Sequence, residues 1–155
     1  MKSAWPCAIA ATALAVPSFA AARPVALEAR LADYGGSGAY VAIYVTDAKG
    51  AHQATLWVAG TKSKYWRHLR DWYKASGGRA KVDGVSGASV GAGQTLRATV
   101  EIADALLDAG YEIHVDTAVE DMAENPSEVV VPLTTGDGGK AVAGKGYVAS
   151  FRYTL

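Results

Sequence analysis

The run Tyr40-Val41-Ala42-Ile43-Tyr44-Val45 constrains the fold of this chain more than any other segment. It is short, β-branched and aromatic, which favours an extended conformation over a helix. Successive side chains of a strand point to opposite faces. A strand apolar at every position therefore needs cover on both sides, and this one is expected at the centre of a sheet. Asp47-Ala48-Lys49-Gly50 supplies turn chemistry directly after it, and Gln53-Ala54-Thr55-Leu56-Trp57-Val58 reads as its hairpin partner.

Period-two patterning recurs along the chain. Val25, Leu27, Ala29 and Leu31 alternate with more polar neighbours, and further strands are expected at 95–101, 111–116, 129–133 and 147–153. Ile113 and Val115 point one way while Glu112, His114 and Asp116 point the other, the signature of an antiparallel sheet with one face buried. Pro132 fits best on an edge strand, where its missing N–H costs no ladder bond. Seven short strands separated by turns point to an all-β fold. Its expected form is an antiparallel, immunoglobulin-like β-sandwich with one short inserted helix. The Cys-Trp-Cys core of antibody domains is missing, so only the architecture is implied.

The inserted helix is expected over Lys64–Lys74. Tyr65, Leu69 and Trp72 fall at i, i+4 and i+7, with Trp66 and Tyr73 beside that stripe. Ser63 is the candidate N-cap, and Ser76-Gly77-Gly78 stops the helix. Trp66 and Trp72 would sit about 240° apart on such a helix. Trp72 is then expected in the core, and Trp66 nearer the surface. The 103–110 stretch is expected to connect two strands with partial helix.

The N-terminus reads as a secretory signal over residues 1–22. Lys2 precedes a short apolar stretch from Ala4 to Val16, and Ser18-Phe19-Ala20 and Ala20-Ala21-Ala22 both satisfy a small-x-small cleavage rule. The mature chain would begin near Ala21 or Arg23, leaving 23–155 as a single periplasmic domain. The apolar stretch is too short to span a bilayer, and no transmembrane segment is expected in the mature chain. The one cysteine, Cys7, lies inside the signal, so no disulfide or thiolate metal site is expected. Fifteen Lys and Arg balance fifteen Asp and Glu, with no basic stripe, which argues against nucleic acid as a partner.

The glycine-rich stretch 76–93 holds Asp83-Gly84-Val85-Ser86-Gly87-Ala88-Ser89. This resembles the acceptor motif for covalent flavin attachment, Asp-x-x-(Ser/Thr)-Gly-Ala-(Ser/Thr). The resemblance implies that a flavin transferase joins the phosphate of FMN to the Ser89 hydroxyl as a phosphoester. Gly87 and Ala88 leave the backbone bare for a second protein to close over. Asp83 and Ser86 are short polar groups that a transferase could read, or that could fix a turn through their own backbone. The order of strand, Asp47-x-x-Gly50 turn, strand, Trp66–Tyr73 run and acceptor-like motif is similar to a family of predicted periplasmic proteins of unknown function. That family is sheet-rich and immunoglobulin-like, with genes often beside PepSY-type membrane reductases and flavin transferases. Many of its members carry Thr at the acceptor-like position and a Pro-Gly turn soon after, whereas here Ser89 precedes Val90-Gly91-Ala92-Gly93.

The other chemistry-bearing residues give weaker signals. His52, His68 and His114 are scattered without ligand spacing, and no metal site is expected. Ser86 and Ser89 lack a Gly-x-Ser-x-Gly elbow, so no catalytic residue is assigned. Asp104, Asp108, Asp116, Glu120, Asp121 and Glu124 read as a solvated acidic face rather than a calcium site. The helix carries more aromatic surface than one core face needs, and Trp66 is the candidate to stack on a flavin, a contact worth about 1 kcal/mol. The expected function is therefore a periplasmic electron carrier with FMN on Ser89, a redox carrier rather than a stand-alone enzyme. A flavin-free accessory or binding module of a membrane redox system is the alternative. A metal- or solute-binding sandwich is a third.

Overall fold

The computed structural model describes residues 21–78, 82 and 84–155. The signal-peptide reading of residues 1–20, Cys7 included, and the expectation for Asp83 fall outside this range. Among the described residues, eight strands form two sheets. β1 (Ala22–Leu31) lies between β5 (Thr95–Ala103) and β8 (Val148–Thr154) in a three-stranded antiparallel sheet. The other sheet has five strands in the order β4 (Ser86–Gly87), β3 (His52–Ala59), β2 (Tyr40–Thr46), β6 (Glu112–Ala118) and β7 (Asn125–Pro132).

The inner faces make one core. Val25, Leu27, Ala29 and Leu31 of β1 meet Val41, Ile43 and Val45 of β2, with Ile113, Val115, Phe151 and Tyr153 among the other buried side chains. The fold is an all-β sandwich, as the alternation predicts. β2 occupies the middle of its sheet, and Pro132 ends the edge strand β7. The Asp47 carboxylate accepts the backbone N–H groups of Lys49 at 2.8 Å and Ala51 at 2.9 Å, which closes the β2–β3 hairpin turn.

The structure departs from the sequence reading in four places. An eighth strand, β4, lies inside the glycine-rich stretch and pairs parallel to β3. The Lys64–Lys74 segment is not one helix. A 3-10 helix spans Ser63–His68, and α1 spans Arg70–Ala75. Leu69 between them is non-helical at φ −82°, ψ 76°. Ser63 is not the cap. Lys62 takes that position and makes no side-chain cap bond. The polar side of β6 is only partly open to water: Glu112 keeps an exposed side chain, while α1 packs against the Asp116 end. Asp116, read as part of a solvated acidic face, has no exposed surface at all.

This last departure explains the composition of β2. Ala42 and Tyr44 point away from the inter-sheet core into a second cluster with Val58, Leu69, Trp72 and Ala118. α1 is the cover that the outer face of an all-apolar strand requires. Asp116 anchors it, accepting the Trp72 backbone N–H at 2.8 Å, the Ser127 N–H at 2.7 Å and the Tyr44 hydroxyl at 3.0 Å. The helix ends where glycine was expected to end it, with the Gly78 N–H donating back to Tyr73 O at 2.8 Å.

Candidate functional site

The acceptor-like motif is held at both ends. On its first side Ser86 and Gly87 pair with Val58 and Ala59 at the edge of the five-stranded sheet. Val58 N–H donates to Val85 O at 2.9 Å, and Gly60 N–H donates to Gly87 O at 2.8 Å. On its second side Val90 is buried and exchanges two backbone bonds with Ala39, at 2.7 and 2.9 Å. Ala88 and Ser89 cross between these two anchors, and both are exposed. Because Val41 pairs with Ala59, the span passes over the end of the sheet where β3 finishes and β2 begins.

Small residues are needed here for steric reasons. A Cβ on Gly87 would come within 2.9 Å of the Trp57 ring, and a Cβ on Gly38 would lie 2.7 Å from Ser89 Oγ. Both contacts are closer than carbon atoms tolerate, so glycine at these positions keeps Trp57 under the motif and the space beside the Ser89 hydroxyl open. Gly60 has φ +108°, and a Cβ there would fall inside the Tyr40 ring. The Tyr34 hydroxyl lies 2.7 Å from Ser37 O and 3.2 Å from Val90 O, and so tethers the chain beside Gly38 to the chain beside Ser89. Burial raises the pKa of that phenol above its ordinary value.

A cavity of about 390 Å³ opens at the same end of the sheet. Gly38 and Tyr40 form one side, Tyr65 and His68 of the 3-10 helix a second, and the loop after β6, through Met122 and Glu124, a third. The walls are pinned to one another. His68 Nδ1 lies 2.6 Å from Glu124 Oε1, the Tyr147 hydroxyl donates to Ala123 O at 2.6 Å, and Tyr40 and Tyr65 meet edge to face at 5.8 Å. A second cavity, of about 330 Å³, lies across β5, β1 and β8, where Glu28 pairs with Arg97 and Arg152.

Of the residues singled out in the sequence, Ser86, Gly87, Ala88 and Ser89 are together at one end of the sheet. Trp66 is half-buried and meets Trp72 edge to face at 5.8 Å, which one continuous helix would forbid. The break at Leu69 brings the two rings together. Trp66 Nε1 donates to Gly60 O at 2.8 Å, while Gly60 N–H holds Gly87 O, so a single residue links this indole to the motif strand. Trp66 does not line the cavity beside Gly38. Its neighbour Tyr65 does.

Sequence reasoning missed Gly38, Tyr40, Tyr65 and Met122, which are far apart in the chain and carry no shared pattern. It also missed a polar network under α1. Ser127, at φ +44°, donates from Oγ to Asp71 Oδ2 at 2.7 Å and lies 3.1 Å from His114 Nδ1. His114 Nε2 lies 3.2 Å from Glu112 and 3.1 Å from Thr46 Oγ1. Neither cavity is lined by these residues, and their bonds join α1, β2, β6 and β7. His52 and His114 both stack on the Tyr44 ring, with centroids 6.5 and 5.4 Å from it, while His68 pairs with Glu124. Among the described residues no group of three His, Cys, Asp or Glu side chains could hold a metal ion. No helix of the described residues is long and apolar enough to cross a membrane.

The model of a family described as predicted periplasmic protein (DUF2271) matches residues 22–150, which takes in β1 to β7, the start of β8, the motif and the cavity. No curated protein and no solved structure matches the chain. By that match over most of its length, the chain belongs to the DUF2271 family of predicted periplasmic proteins.

Proposed function

We propose that this protein is a periplasmic electron carrier bearing FMN as a phosphoester on Ser89 Oγ, and that it passes electrons between a PepSY-type membrane reductase and an extracytoplasmic acceptor. The observation that carries the reading is the presentation of Ser89. Ser89 is an exposed residue in a short span whose backbone is fixed on one side by Gly60–Gly87 and on the other by Ala39–Val90. An acceptor must offer its hydroxyl to another protein without unfolding, and this arrangement does so.

The residues fit the group. Gly38 leaves open the space beside Ser89 Oγ, and Gly87 and Ala88 add no bulk in front of it. In the attachment step Ser89 Oγ attacks the flavin-side phosphorus of FAD. The new Ser–O–P bond forms as the pyrophosphate P–O bond breaks, AMP leaves, and the hydroxyl proton passes to a base on the transferase or to water. Once bound, the flavin supplies the redox chemistry, and the protein supplies position and electrostatics. The role of the sandwich is to hold Ser89 rigidly, with exposed loop surface around it for successive partners.

In-gel fluorescence after denaturing electrophoresis tests this, since only a covalent flavin survives the gel. Protein co-expressed with a flavin transferase in the periplasm is expected to give a fluorescent band. Ser89→Ala is expected to lose it, and Ser86→Ala, which keeps the Ser89 hydroxyl, to retain at least part of it. A dark wild-type band under these conditions would instead favour a flavin-free accessory module.

A further inference from the structure

We propose that the cavity bounded by Gly38, Tyr40, Tyr65, His68, Met122 and Glu124 seats the isoalloxazine ring of the flavin tethered at Ser89. The inference rests on the flavinylation reading above, and it assigns to that flavin a site that the motif does not specify.

Three observations carry it. The first is position. Gly38 lines the cavity, and its missing Cβ would lie 2.7 Å from Ser89 Oγ, so tether point and cavity share a residue. A ribityl chain attached at Ser89 would pass Gly38 to bring the ring in. The second cavity offers no such route, because it lies on the other sheet and none of its lining residues belongs to the motif or contacts it.

The second is size and lining. About 390 Å³ falls within the range of small-molecule pockets, which are mostly apolar with a few polar groups. Tyr40 and Tyr65 stand at 76° to one another, so an extended ring laid on one presents its edge to the other. Both geometries are favourable for aromatic pairs. The Met122 thioether is polarizable, partly exposed, and packs over Gly36, where a Cβ would lie 2.6 Å from its sulfur. The polar lining includes His68 with three carboxylates, Glu120, Asp121 and Glu124, which supply acceptors for the N–H of the ring's polar edge.

The third is fixity. The Tyr34 hydroxyl spans the Gly38 and Ser89 segments, and Tyr34 packs against Tyr147 with ring centroids 4.9 Å apart. Tyr147 in turn holds Ala123 in the opposite wall. One aromatic pair therefore ties the tether point to the far side of the cavity, which is what a site built around a tethered group requires.

Iodide quenching of flavin fluorescence tests the proposal on intact, flavinylated protein whose adduct has been verified by mass. The expected quenching constant for wild type is several-fold below that of the flavin peptide released by trypsin. Tyr65→Ala and, separately, Met122→Ala should raise it toward the peptide value and increase the fluorescence yield. Tyr73→Ala, an exposed tyrosine of α1 outside the cavity, should leave it unchanged. Met122 is exposed, so that variant still tests the site if Tyr65→Ala perturbs the fold. A wild-type adduct as open to iodide as the free peptide would overturn the seating while leaving covalent attachment intact. Absence of any adduct would overturn both.

Discussion

At the scale of single residues, Asp116 does the most to hold the outer layer in place. It is a carboxylate with no exposed surface, and it accepts two backbone N–H groups and a phenol. Desolvation outweighs those hydrogen bonds and raises its pKa above the ordinary aspartate value. The folded state therefore keeps the Asp116 proton at pH values where the unfolded chain has lost it. Between the ordinary value and the raised one, this group makes stability fall as pH rises. The stability difference between wild type and Asp116→Asn, followed by denaturant unfolding across the acidic range, should accordingly shift against wild type as pH increases through that window. The amide also loses one backbone acceptor, a pH-independent cost of about 1–3 kcal/mol. A difference that stays flat with pH would show that Asp116 is not the titrating group. This residue was not legible in the sequence. Strand alternation correctly set Asp116 opposite Ile113 and Val115, but alternation cannot say whether water or a helix lies on that side.

At the scale of elements, the strands were legible and the helix was only partly so. Strands such as β1 and β6 declare themselves through period two, because each face meets a different medium. The Lys64–Lys74 segment has helical spacing, yet its packing is decided by two indoles that both belong in the second cluster. Leu69 leaves helical geometry so that Trp66 and Trp72 can meet. Trp72 is fully buried, its backbone is held by Asp116, and its Nε1 donates to Thr55 Oγ1 at 2.9 Å. Trp72→Ala should cost about 3–5 kcal/mol as a core truncation. Trp66 is only half-buried, so Trp66→Ala should cost less, about 1–2 kcal/mol from lost contact area and one hydrogen bond. Thermal or urea unfolding of the two variants measures both. Equal, large losses would show that the two indoles act as one buried unit.

At the scale of the whole molecule, the acceptor-like motif could be read because it is contiguous. The cavity could not, because it exists only once residues near 38, 65 and 122 are brought together at one end of the five-stranded sheet. β4 links the two: the motif adds itself to the sheet edge and then crosses the sheet end, which puts Ser89 beside Gly38. The sandwich supplies a rigid end, the 3-10 helix builds one flank through Tyr65 and His68, and the loop after β6 builds the other. The measurement that tests this account most directly is peptide mapping by mass spectrometry of the protein isolated from a periplasm that contains a flavin transferase. The account predicts a tryptic peptide spanning Ser86 and Ser89 that is heavier by FMN less one water, with fragment ions placing the addition on Ser89 and none in the Ser89→Ala protein. An unmodified peptide from a periplasm in which a known acceptor is modified, or an addition mapped to another residue, would contradict it.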